Sequence, residues 1–199
     1  MKTRVTLIVV SFCLFMAACN NEKKTEPETT ATEDKPKQPE MSSDPANLDQ
    51  LPVSDKALGA FPYIALPANY EDVGKNPVTE ADSAYFWVAD HFEVPKGKVF
   101  FGRIKAKSGG NYSDEELLKA IQDTVTALGG FKVSDMTVPD HGIATMNEQQ
   151  KLKHNAGYGF LGFKPTATYV IRRATGRIWA QVTPTDDGVS AGWLILEEK

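Results

Sequence analysis

Three apolar runs near the carboxy terminus, separated by turn residues, leave this chain little choice of architecture. Tyr169-Val170-Ile171-Arg172-Arg173 leads through Thr175-Gly176 into Ile178-Trp179-Ala180-Gln181-Val182, and Asp186-Asp187-Gly188 then introduces Ala191-Gly192-Trp193-Leu194-Ile195-Leu196. Short β-branched and aromatic runs punctuated by Gly and Asp form an antiparallel meander. Its register is fixed, because a slip of one residue would carry every side chain to the other face. Trp179 is out of phase with Ile178, Ala180 and Val182, which puts it on the face opposite the main core. There residues 136–166 are expected to cover it, with glycan stacking by Trp87, Trp179 and Trp193 as the alternative. Arg172, Arg173 and Arg177 read as a solvated hairpin end, with an anionic partner site as the second reading.

Upstream, Leu58-Gly59-Ala60-Phe61-Pro62-Tyr63-Ile64-Ala65-Leu66-Pro67 carries prolines that confine it to a sheet edge or an extended wrap. Tyr85 to Val94 and Val99 to Ile104 flank Pro95-Lys96-Gly97, a pattern that predicts a hairpin between them. In the second arm Phe100, Ile104 and Ala106 alternate with Arg103, Lys105 and Lys107, so one face is expected to meet the core and the other water. Gly109-Gly110-Asn111 breaks the strand. Ser113 and Glu116 have capping-box spacing, and Leu117, Leu118, Ile121, Val125 and Leu128 form one stripe, so a helix is predicted over about 113–128 with Gly129-Gly130 as its stop. Phe131-Lys132-Val133 begins another strand. Between 136 and 166 the pattern is weak, but Thr145 and Glu148 repeat the capping spacing and suggest a short polar helix over Met146 to His154. The fold class that follows is α+β: an antiparallel sheet with the 113–128 helix packed on one face and a carboxy-terminal meander.

Before Leu51 the composition changes character. Residues 20–47 are dominated by Glu, Lys, Thr, Pro and Asp, with no aromatic residue, and cannot bury enough apolar surface to offset their ordering entropy. They read as a disordered tether whose typical reach is on the order of 30 Å. Ahead of it, Lys2 and Arg4 precede an apolar run from Val5 to Met16, the n-region and h-region of a secretory signal that is too short to span a bilayer. Leu14-Phe15-Met16-Ala17-Ala18-Cys19 resembles the lipobox of bacterial lipoproteins, with Met16 standing where leucine is usual. That resemblance implies cleavage between Ala18 and Cys19 and acylation of Cys19, giving stable membrane attachment once two or more chains are present. Asn20, where an aspartate would signal inner-membrane retention, favours the outer membrane, lipid-anchored and facing the periplasm. The expected organisation is therefore a signal peptide over 1–18, an acylated Cys19 with its tether over 19–50, and one globular domain over 51–199.

Removing residues 1–18, with Lys2, Arg4 and no acid, carries the formal net charge from -4 to -6, which argues against nucleic acid as a partner. Cys13 leaves with the signal and Cys19 is consumed by lipid, so no disulfide is expected.

Phe61-Pro62-Tyr63-Ile64-Ala65-Leu66-Pro67, Phe86-Trp87, Gly97-Lys98-Val99-Phe100, Ala127-Leu128-Gly129-Gly130 and Tyr169 to Arg173 with Ile178-Trp179 resemble the amino-terminal region of certain proteobacterial OmpA-family lipoproteins. In those relatives a carboxy-terminal domain grips peptidoglycan. This chain ends at Lys199, directly after the meander, so the resemblance carries neither that grip nor a catalytic role.

Other constellations are sparse. Gly157-Tyr158-Gly159-Phe160-Leu161-Gly162 fits G-x-G-x-x-G, but polar residues precede it and Pro165 follows, so a flexible or tightly packed glycine loop is expected rather than a dinucleotide site. His91 and His141 each follow an aspartate, Asp90 and Asp140, while His154 stands alone; neighbours in a strand point to opposite faces, so surface or loop histidines are expected and no metal. Asp186-Asp187 at Gly188 reads as a turn. No catalytic or cofactor-binding residue is expected. The reading is a non-enzymatic envelope module that contacts an envelope protein or polymer through the sheet or the long middle segment. The alternatives are a periplasmic hydrolase using the aspartates and histidines, and an immunity-type lipoprotein that binds a toxin.

Overall fold

A computed structural model describes residues 47–74 and 76–199, all within one unit. The signal peptide, Cys19 and residues 20–46 of the expected tether lie outside the described residues. No helix among the described residues is long and apolar enough to cross a membrane.

The meander forms as three long antiparallel strands, β7 (Thr166–Arg173), β8 (Gly176–Pro184) and β9 (Ser190–Glu198), with Val170 opposite Trp179 and Trp179 opposite Leu196. β5 (Lys96–Ala106) adds to β9, and β6 (Phe131–Met136) adds to the far side of β7. On its outer edge β5 is shared: β1 (Tyr70–Asp72) pairs with one end and β2 (Thr79–Ser83) with the other. The α+β reading holds, with a seven-stranded antiparallel sheet as its centre.

The predicted hairpin between residues 85–94 and 99–104 does not form. β3 (Phe86–Val88) turns at Ala89 (φ 51°) and pairs with β4 (His91–Glu93) instead, as a separate two-stranded unit. Three consecutive buried residues in β3 explain why: Phe86 and Val88 face the sheet while Trp87 faces away into a further apolar cluster, so the strand lies between two layers and not within the sheet.

Helix α1 (Asp114–Ala127) carries the chain from β5 across the sheet to β6. Leu117, Ile121 and Val125 are buried against Ile104, Tyr169, Ile171, Ala180, Trp193 and Ile195, and at about 1.5 to 3 kcal/mol for each such side chain this stripe dominates the helix's stability. The segment from Leu58 to Leu66 takes the second of its two expected forms, an extended wrap on the same core. Ser113 is the N-cap, its Oγ accepting from the Glu116 N–H at 3.3 Å. The reciprocal half of the box is replaced: the Tyr70 hydroxyl accepts from the Ser113 N–H at 3.2 Å, and the Glu116 carboxylate accepts from Asn69 Nδ2 at 3.0 Å. Ser113→Ala is expected to lower the unfolding free energy by about 1 kcal/mol, read as a shifted urea midpoint at unchanged slope.

The other face of the sheet is not water, as the β5 alternation suggested. Val99 and Phe101 are as apolar as Phe100 and Ile104, and they join Val170, Trp179, Leu194 and Leu196 beneath Phe86, Val88 and Tyr158. Only toward the far end of β5 do Arg103 and Lys105 emerge on that side. Trp179 is on the predicted face, but its ring meets Phe86 at 5.3 Å; Tyr158 is what the 136–166 segment adds to that layer. Leu48 and Leu51 are buried in the same layer, and Leu48–Gln50 form a short 3-10 turn, so residues 48–50 pack with the domain and not with the tether expected to run to residue 50.

The weakly patterned middle segment contains α2 (Asp140–Thr145), α3 (Glu148–Lys153) and a π-helical turn over His154–Tyr158. The cap of α3 is Asn147, whose Oδ1 accepts from the Gln150 N–H at 2.9 Å, and not Thr145, whose hydroxyl donates to the Gly142 carbonyl.

Candidate functional site

The glycine loop is the tightly packed alternative, and it shapes one side of a cleft. Gly159 has φ 104° and rests on Thr183 of β8, where a Cβ would come within 2.5 Å of that side chain. A Cβ on Gly192 of β9 would in turn strike the Gly159 backbone. Only glycine at both positions lets loop and sheet touch, and neither placement resembles the strand-to-helix turn that a dinucleotide needs. Fixed this way, the loop turns Tyr158 and Leu161 inward and Phe160 and Phe163 outward, 44% and 65% exposed and edge-to-face at 6.4 Å. Their only sequence signal was aromatic residues among glycines.

Between this loop and the end of β1 lies a cleft of about 260 Å3, with Val73 and Phe160 on its rims and Arg103 and His154 in its walls. β5 runs along it at the interval that neither β1 nor β2 pairs. There Asp72 Oδ1 accepts from the Arg103 N–H at 3.0 Å and from the Gly74 N–H at 2.9 Å, while Asn76 Nδ2 donates to the Phe101 carbonyl at 3.2 Å. Beside the Val73 N–H, which donates to the Arg103 carbonyl at 2.9 Å, side-chain groups thus stand where an edge strand would be. The Arg103 guanidinium is half-exposed; its Nε and Nη2 donate to Ser190 Oγ at 2.9 and 2.8 Å, and Asp187 is 3.7 Å away. Asp187 is held below the usual carboxylate range, first by the Thr185 hydroxyl that donates to it and then by the Val189 N–H, in the expected turn.

His154 is buried. Its Nδ1 lies 3.2 Å from the Gly159 carbonyl, so Nδ1 carries the hydrogen and Nε2 holds an unshared pair with no partner among the described residues. Burial pushes its pKa down to about 4, leaving the ring neutral at pH 7.

The other two histidines share a different cleft, lined also by Tyr85, Trp87 and Phe92. Asp90 does reach His91, contrary to the strand-alternation argument, because Asp90 belongs to the Ala89 turn and not to the strand that His91 opens: Nδ1 is 2.9 Å from Asp90 and Nε2 is 3.2 Å from Glu93. The Asp90 and then the Glu93 hydrogen bonds raise the His91 pKa. With both nitrogens facing carboxylates, this imidazole favours its charged form. Among the described residues no group of three or more His, Cys, Asp and Glu is placed to hold a metal ion.

The tryptophans that invited glycan stacking are all buried. Trp179 Nε1 donates to Glu198 at 3.0 Å, and Trp87 packs on Phe92 at 4.9 Å. The arginines are not a solvated hairpin end. Arg172 and Arg173 donate to the carbonyls of Leu51 and Lys56 at 2.9 and 2.6 Å, and Arg177 pairs with Asp49, so the three clamp the entering chain to the sheet.

Comparison with protein-family models, with curated proteins and with solved structures finds no match for this chain.

Proposed function

We propose that this protein is a non-enzymatic lipoprotein of the outer membrane, anchored through Cys19 and facing the periplasm, whose domain binds a component of the cell envelope. The observation that carries the binding half is the outward-turned pair Phe160 and Phe163 on a loop that glycine contacts hold against the sheet. Large apolar side chains displayed on a fixed scaffold beside a cleft suit recognition, since exposed apolar patches mark interaction sites and function concentrates on loops held by rigid elements. The anchoring half rests on the Leu14 to Cys19 lipobox resemblance and on the composition of residues 20–46. Acid–base chemistry draws less support: His91 and His141 share one cleft, His154 lines another, and His91 is doubly held by carboxylates.

In intact cells fed a labelled fatty acid, the native chain is expected to incorporate label and fractionate with the outer membrane, and Cys19→Ser to lose both. Labelling that persists in Cys19→Ser, or a native chain that stays soluble, would refute the anchor.

A further inference from the structure

We propose that the cleft between the end of β1 and the glycine loop is a docking groove for a short extended peptide segment in which an apolar side chain neighbours a carboxylate. The inference rests on the binding-module reading and names its ligand class. Three independent features of the groove converge on it.

The first is main-chain chemistry. β5 is paired by β1 at residues 104–106 and by β2 at 96–99; in the interval between them the Val73 N–H donates to the Arg103 carbonyl at 2.9 Å, and side chains meet the Arg103 N–H and the Phe101 carbonyl. The Asn76 amide donates to the Phe101 carbonyl, and the Asp72 carboxylate accepts from the Arg103 N–H. An amide N–H and a carbonyl oxygen of an extended peptide offer the same donor and acceptor, so a segment of two or three residues can take the place of the Asn76 amide and the Asp72 carboxylate at the sheet edge. Strand addition of this kind draws affinity from backbone hydrogen bonds and specificity from neighbouring pockets. The flanking strands keep the segment short.

The second is the rim. Val73 and Phe160, 45% and 44% exposed, face the cleft from its two sides, so an apolar side chain laid into it meets apolar surface on both. The volume, about 260 Å3, falls below the roughly 300 to 1,000 Å3 of pockets that enclose cofactors and drug-sized ligands, which favours a piece of chain lying across the groove over an engulfed small molecule. The third is charge. Ser190 takes the Nε and one Nη2 hydrogen of Arg103, Asp187 stands off at 3.7 Å, and Nη1 has no protein acceptor among the described residues. A carboxylate is the natural partner for the remaining face of the fork.

The test uses the full chain purified in detergent and two blocked peptides, acetyl-Ala-Leu-Asp-Ala-amide and its Asn counterpart, followed by amide chemical shifts. The Asp peptide is expected to bind saturably, shifting resonances of residues 73–76, 101–103 and 157–160, and the Asn peptide to bind about tenfold more weakly. Arg103→Gln should erase the difference between the peptides and Arg103→Lys should restore most of it, which a merely unfolded variant cannot do. Phe160→Ser should weaken both peptides equally. Absence of saturable shifts, or equal binding of the two peptides to the native chain, overturns the proposal. So does sedimentation of the Cys19→Ser chain with phosphatidylethanolamine–phosphatidylglycerol vesicles that Phe160→Ser abolishes while neither peptide binds, since the rim would then be a bilayer contact. Loss of fatty-acid labelling in cells bears on the anchor alone and leaves the peptide result standing.

Discussion

Trp179→Ala is expected to cost about 3 to 5 kcal/mol of unfolding free energy, a large share of the roughly 5 to 15 kcal/mol a domain possesses. The side chain is only 1% exposed, and its ring lies between the sheet and Phe86 at 5.3 Å, so truncation opens a cavity in the middle of the second layer. It also removes the N–H that the Glu198 carboxylate accepts at 3.0 Å. Trp179→Phe separates the two contributions. It retains most of the ring but not the donor, and because Glu198 Oε2 still accepts from the Arg177 N–H at 2.9 Å, the loss should be about 1 to 2 kcal/mol. Urea titration of both variants reads the difference directly. A cost for Trp179→Ala below about 1 kcal/mol would mean that Phe86, Val88 and Tyr158 do not pack on this face, and the cleft would lose the layer that supports its glycine loop.

That second layer is also where sequence reading stopped. The first layer was legible because its signals are local: the Ser113 cap, the α1 stripe and the alternation of β7, β8 and β9 each involve residues within a few positions of one another. The wrap from Leu58 to Leu66 was legible in kind, since its prolines exclude a central strand. The β3–β4 unit was not. Its run Phe86-Trp87-Val88 has no period, and a continuous apolar run fits a strand buried between layers as well as a hairpin arm. The same holds for the groove. Asp72, Asn76, Arg103 and Phe160 meet only because β5 is shared by two short strands and because Gly159 lies on Gly192, both long-range facts with no periodic trace. His91 shows the limit of alternation arguments: one residue of positive φ at Ala89 redirects Asp90 onto the imidazole.

The pH dependence of stability should carry the mark of His154. In the unfolded chain this ring binds its proton near pH 6.5, and in the folded domain only near pH 4, because burial penalises the cation and Nε2 has no acceptor to receive an added hydrogen. Between those values the unfolded state holds more protons, so stability rises with pH across the window and is lost as pH falls from 6.5 through 4. The full difference is about 3 kcal/mol at about 1.4 kcal/mol per unit of pKa. His91 acts in the opposite sense. Its pKa is raised by Asp90 and Glu93, so what it contributes is present below its unfolded pKa and fades as pH rises through the folded one, and its exposure keeps that contribution small. His154→Gln retains a donor for the Gly159 carbonyl and has nothing to titrate, so its unfolding free energy should fall less than the native value between pH 7 and 4, by about 3 kcal/mol, whereas His91→Gln should leave the native slope nearly unchanged. Carboxylates titrate alike in all three chains, so the differences isolate the histidines. A His154→Gln profile parallel to the native one would show that the ring is already solvated in the folded state, and the π-turn would then stand off the sheet instead of sealing the back of the cleft.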